Sequence, residues 1–188
     1  MQQTASSPET EAVSSDPETL RELGAGIAAT CAGFNLRRAS RAVTQHFDHA
    51  LAPVGLRTTQ FTLLGALAIA GPVSTNELAV GLVMDRTTLT RNLRLLRDAG
   101  LVETHPGRSG REIRFALSDE GRDALARAIP VWREAQGSIL TAFGEQRWPT
   151  MVAELDRLVS GTMALSDDDT RSDHPALADN AATNGTAN

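Results

Sequence analysis

The sequence predicts a mainly α-helical fold carrying one small β-hairpin. Three observations lead there. Apolar residues recur at helical spacings through most of the chain, as in Phe34, Ala39, Val43, Phe47 and Leu51. Start and stop signals cut that pattern into separate helices. Arg111 to Leu117 instead alternates polar with apolar residues, directly behind the turn-forming run His105-Pro106-Gly107-Arg108-Ser109-Gly110.

The chain has 188 residues, 41% of them hydrophobic, which suits one domain with a core and two tails. No apolar run approaches the roughly 20 residues needed to span a bilayer. Met1 to Pro17 is polar and acidic, unlike a secretory leader. A single Cys excludes an internal disulfide framework and fits a reducing compartment, so the chain reads as cytoplasmic. The net charge of −5 hides a division. Met1 to Glu22 carries five acids and one Arg, and Glu154 to Asn188 carries seven acids and two Arg. Between them stand fifteen Arg and eleven acids, so the middle is basic. All eighteen cations are Arg, which excludes Schiff-base and P-loop lysine chemistry. Arg is also the better fork for phosphates and guanine edges.

Taken in order, residues 1–15 read as a disordered acidic tail. Asp16 with Pro17 opens a long helix running to about Ala52, and Pro53-Val54-Gly55 breaks it. Thr58 can cap a second helix carrying Phe61, Leu64, Leu67 and Ala68, closed by Gly71-Pro72. Ser74-Thr75-Asn76-Glu77 is a capping box that opens a short helix ending near Gly81. Asp85 caps a helix from Arg86 to about Ala99, with Gly100 as its left-handed terminator. Leu101–Glu103 and Arg111–Leu117 form the hairpin. Ser118 caps a helix that runs past Pro130, where a kink is expected, to about Phe143. A last helix spans roughly Arg147 to Val159, and residues 163–188 form a second disordered acidic tail.

Helix, short helix, turn, second helix and hairpin in that order make a winged helix-turn-helix. On a wheel of the Arg86–Ala99 helix, Leu89, Leu93 and Leu96 share one narrow arc, while Thr87, Thr90, Arg91 and Arg94 face the other way. Short hydroxyls and Arg suit a major groove, where Arg bonds guanine and Thr offers a hydroxyl and a methyl. Thr88 belongs to the same candidate set. Arg108 and Arg111 flank the hairpin tip and suit insertion into a narrow minor groove. Phe34, Val43, Phe47, Ile129, Trp132, Ile139, Leu140, Phe143, Met151, Leu155 and Leu158 form apolar stripes that a winged domain is too small to cover. Two-fold pairing would bury them and set two reading helices about 34 Å apart. The layout is therefore a dimerisation segment at 16–56, the winged domain at 57–122 and dimerisation helices at 123–162.

Thr59-Gln60-Phe61, Glu77-Leu78-Ala79, Met84-Asp85-Arg86-Thr87-Thr88-Leu89-Thr90-Arg91, Gly100-Leu101-Val102 and Leu117-Ser118-Asp119-Glu120-Gly121 together resemble the MarR family of bacterial regulators. The likeness runs from about Cys31 to Val159. It implies a triangular homodimer binding double-stranded DNA at a pseudo-palindromic operator, acting as a repressor and released by a small aromatic or phenolic effector. Family wings often read Arg-Asp-x-Arg; here Arg108-Ser109-Gly110-Arg111 lacks the carboxylate.

Other signals carry less. Some relatives sense peroxide through a Cys near Cys31, which makes thiol-based redox control an alternative function. The peroxide sensors resemble this chain in Ala39-Ser40-Arg41-Ala42, but their Cys would fall at Gly33 and their tyrosines have no counterpart here. Cys31 therefore reads first as a small buried helix residue. His46 and His49 have metal-clasp spacing without a placeable partner, so neither metal nor cofactor is expected. Trp132 is the candidate effector contact, in the cleft where relatives bind aromatic acids. No nucleophile elbow, phosphate loop or paired-carboxylate motif appears, so the chain is not read as an enzyme. A helical interaction dimer without DNA binding is the remaining alternative.

Overall fold

A computed structural model describes residues 13–107 and 112–172. Its helices are α1 (Pro17–Thr30), α2 (Ala32–Leu51), α3 (Thr58–Ala70), α4 (Thr75–Leu82), α5 (Arg86–Asp98), α6 (Asp119–Phe143) and α7 (Trp148–Ser172). Its strands are β1 (Val73–Ser74), β2 (Val102–Pro106) and β3 (Ile113–Leu117). The chain forms two compact units, Met1–Ala135 and Gln136–Asn188.

In the first unit Asp16 caps α1, its Oδ1 accepting from the N–H groups of Glu18 and Thr19 at 3.1 Å. The single helix expected from Pro17 to Ala52 is broken at Cys31, which is extended at φ −67° and ψ 115°. No Gly or Pro marks this break. The Asn35 amide bridges it, donating to the carbonyls of Ala28 and Cys31 at 3.1 and 3.0 Å. At the next bend Thr58 is the first residue of α3 rather than its cap. The extended Arg57 precedes it, donating its N–H to Gln60 Oε1 at 2.9 Å. Thr58 instead donates from both N–H and hydroxyl to Asp48 Oδ1 at 2.7 Å, tying the end of α2 to the start of α3.

Seven leucines form the dry centre: Leu51 from α2, Leu63, Leu64 and Leu67 from α3, and Leu89, Leu93 and Leu96 from α5. Phe47 joins this core. It therefore leaves the apolar stripe assigned to pairing, because α2 turns that face inward where it meets α3. The turn between α4 and α5 holds Val83 in the left-handed region at φ 51°. Gly100 follows α5 at φ 74°, the conformation expected of it.

The sheet has the order β1-β3-β2 and is antiparallel throughout. In the hairpin Val102 pairs with Leu117 and the register holds to Pro106 opposite Ile113. The first strand is thus longer than Leu101–Glu103 and takes in His105 and Pro106, expected in the turn. Gly107 donates its N–H to the Glu112 carbonyl at 2.7 Å below the tip. Two-residue β1, unforeseen in the sequence, pairs Val73 with Phe115 and Ser74 with Arg114.

Pro130 lies inside α6 without ending it. In the second unit a 3₁₀ turn at Glu145–Arg147 joins α6 to α7. Phe143 meets Trp148 edge-on at 6.2 Å, and the Arg147 guanidinium lies 4.7 Å over the Phe143 ring. α7 continues to Ser172, past residue 163 where a tail is expected.

Candidate nucleic-acid interface

The site is built on α5. Asp85 adopts an extended conformation and accepts the Thr88 N–H at 2.8 Å, closing the N-terminal turn. Leu89, Leu93 and Leu96 are completely buried and fix the helix rotation. The opposite face is thereby turned outward. Arg86, Thr87, Thr90, Arg91 and Arg94 line one open groove on it. Thr88 is half-buried and stands off that groove, with its carbonyl accepting from Asn92 Nδ2 at 2.8 Å. Arg86 was missed in the sequence. Its wheel position, beside Thr90, was the available signal.

Among the described residues Arg86 and Arg91 make no ion pair. Arg94 Nε lies 3.6 Å from Asp98 Oδ2, and Arg97 Nη2 lies 3.1 Å from Asp98 Oδ1. Such exposed pairs add little stability. Arg108 and Arg111 lie outside the described residues. Arg114 of β3 points into the protein: Nε donates to the Pro72 carbonyl at 3.0 Å and Nη2 to Glu77 Oε2 at 3.1 Å.

Among the described residues four carboxyls sit below their ordinary range. Hydrogen bonds from Thr19, then Ser14, lower Asp16 to about 2. Hydrogen bonds from Thr58 lower Asp48, those from Ser74 lower Glu77, and those from Thr88 lower Asp85. Folding lowers each one, so protonation favours the unfolded chain. Their contribution is complete above the unfolded carboxyl range near pH ~4 and is lost as pH falls through the folded values. Urea midpoints followed by circular dichroism are expected to hold between pH 6 and 5 and to fall steadily toward pH 3.

The family model of the MarR family matches residues 54–112, which spans the groove, the cap and the hairpin base. The transcriptional regulator MosR of M. tuberculosis, solved in complex with DNA, is 37% identical. The match covers 72% of this chain and 98% of that one, with a TM-score of 0.67. The chain belongs to the MarR family. It is thus a DNA-binding winged-helix transcriptional regulator by family. Similar MarR-type folds include a probable transcriptional regulator from Pseudomonas aeruginosa, at 28% identity, 69% and 98% coverage and TM-score 0.63. The transcriptional repressor CouR of Rhodococcus jostii RHA1, bound to a 23-mer DNA duplex, gives 26%, 71% and 96%, and 0.65. No curated protein matches the chain.

Within this MarR-family chain the remaining candidates fall as follows. Cys31 is exposed at the α1–α2 junction and not a buried helix residue, because the chain leaves helical geometry there. His46 Nε2 lies 3.1 Å from the Ala135 carbonyl, joining α2 to α6, and His49 remains exposed. Among the described residues no three His, Cys, Asp or Glu side chains gather to hold a metal. Trp132 is half-buried and stacks on Phe61 of α3 at 5.9 Å. No described helix is long and apolar enough to cross a membrane.

Proposed function

We propose that this MarR-family chain is a cytoplasmic repressor that binds a pseudo-palindromic operator as a homodimer and is released by a small aromatic effector. The single observation that carries the reading is the α5 groove, where three Arg and two Thr face outward on a helix anchored by three buried leucines. Thr87, Thr90, Arg91 and Arg94 would read the major groove with Arg86 on phosphate, Thr88 would add its hydroxyl at the shoulder, and Arg108 and Arg111 would serve the wing. Pairing is supported by apolar surface that the single chain leaves open. α1 has no buried residue and exposes Leu20, Leu23 and Ile27, and α7 exposes Met151, Leu155 and Leu158. A second copy is the simplest cover for such helices. Trp132, stacked on Phe61 between α3 and α6, is the proposed effector contact; the aromatic pair gives a flat apolar wall suited to a phenolic ring.

The test is a fluorescence titration against duplexes selected from a random pool, repeated across salt concentrations. Binding that tightens on one sequence and weakens steeply with salt supports the reading. Arg91→Ala is expected to cost about 1–3 kcal/mol on the selected site and to relax preference at one base pair. Its melting temperature should match the parent, since Arg91 is exposed and unpaired among the described residues. A loss equal on all sequences would reduce Arg91 to a phosphate contact.

A second reading, redox control, rests on the exposure of Cys31. Peroxide would convert its thiolate to a sulfenic acid. Operator release by peroxide that persists in Cys31→Ser would remove this reading.

A further inference from the structure

We propose that Arg114 is a positioning residue that sets the wing against the helix-turn-helix and does not itself touch DNA; the inference rests on the DNA-binding reading above. Its guanidinium is occupied by protein on three sides. Nε donates to the Pro72 carbonyl at 3.0 Å, Nη2 donates to Glu77 Oε2 at 3.1 Å, and Nη1 lies 3.7 Å from Glu112 Oε1. The side chain is 25% exposed, against 74% for Arg94 in the groove. The Glu77 oxygen that receives Arg114 also accepts the Ser74 N–H and hydroxyl, both at 2.8 Å. One carboxylate oxygen therefore closes the cap of α4 and holds the middle strand of the sheet.

The placement explains why this clip matters. Arg114 stands opposite Ser74 on one side and His105 on the other. β2 and β3 share five pairs, so the hairpin holds itself together. β1 and β3 share only two, which leaves the tilt of the hairpin against α4 weakly specified by backbone alone. The Arg114 fork supplies the missing constraint. It needs two donors on a rigid plane to reach a carbonyl and a carboxylate at once, which an ammonium lacks. Without it the hairpin persists but the wing no longer keeps a fixed bearing relative to α5. Contacts made by α5 stay, and contacts made by the wing beyond them fade.

The experiment compares full-length parent, Arg114→Gln and Arg114→Lys on a selected operator and on the same operator with its A·T flanks changed to G·C. The parent is expected to prefer the A·T flanks by roughly tenfold. Arg114→Gln should lose most of that preference while keeping its discrimination at the bases read by α5. Arg114→Lys should behave like Arg114→Gln, because the charge survives but the fork does not. It also keeps the test decisive if Arg114→Gln folds poorly. Two results would overturn the role of Arg114 alone. One is full flank preference in both variants. The other is uniformly weaker binding by Arg114→Gln, with a salt slope reduced by about one and rescue by Lys, which marks a phosphate contact. A parent with no selectable operator would overturn the DNA-binding reading itself.

Discussion

Gly121→Ala is expected to destabilise the winged domain strongly. Gly121 lies buried in the first turn of α6, and a Cβ there would overlap the Leu101 carbonyl oxygen, with Leu101 C at 2.9 Å and Ser118 Oγ at 3.3 Å. The obstacle is backbone, held from several directions. Leu101 donates to the Leu96 carbonyl at 2.9 Å and accepts the Ser118 N–H at 3.3 Å. Ser118 donates its hydroxyl to the Gly100 carbonyl at 2.6 Å and accepts the Gly121 N–H at 2.9 Å. One methyl therefore has to part the end of α5 from the start of α6. Overpacking a held site costs about 3 kcal/mol or more, the upper end of its usual range. The melting temperature should drop by roughly 10 °C. Gly137→Ala is the matched control: it sits in the same helix with nothing within 4 Å of a new Cβ. It should stabilise by roughly 0.5–1 kcal/mol. Equal melting of Gly121→Ala and the parent would show that the two chain segments part freely.

Leu93→Ala is the second large effect. Leu93 is completely buried at the centre of α5, between Leu89 and Leu96. Truncation removes its transfer free energy and leaves a cavity that the surrounding core only partly fills, a cost of about 3 kcal/mol. Thermal circular dichroism should show a fall of roughly 6–12 °C. The contrast with Arg91→Ala is informative, because the two residues sit two positions apart on one helix. Leu93→Ala should lower stability and leave operator preference intact at low temperature. Arg91→Ala should do the reverse. A Leu93→Ala protein as stable as its parent would mean that α5 is not fixed by its leucine arc.

The α5 wheel was legible because a helix repeats its face every 3.6 residues, and Leu89, Leu93 and Leu96 obey that period. The α4 capping box was legible because it is local: Ser74 and Glu77 meet across one turn. What escaped the sequence is either geometrically mute or non-local. The break at Cys31 carries no Gly or Pro and is held by the side chain of Asn35. β1 is two residues long, too short for any period, and exists because β3 offers it an open edge. Arg114 is one of many Arg in the basic middle of the chain, and its partners Pro72 and Glu77 lie some forty residues away in sequence. α7 passes residue 163 and continues into Asp167-Asp168-Asp169, where composition argued for a solvated tail.

The order of the small sheet also bears on solubility. A sheet edge with free N–H and carbonyl groups is a template for another chain. Here β3 occupies the middle and has both sides taken. One outer strand, β1, is too short to recruit a partner. The other, β2, ends in Pro106, which lacks an N–H, and exposes Glu103 and His105 along its length. Both margins thus discourage the addition of a strand from another chain.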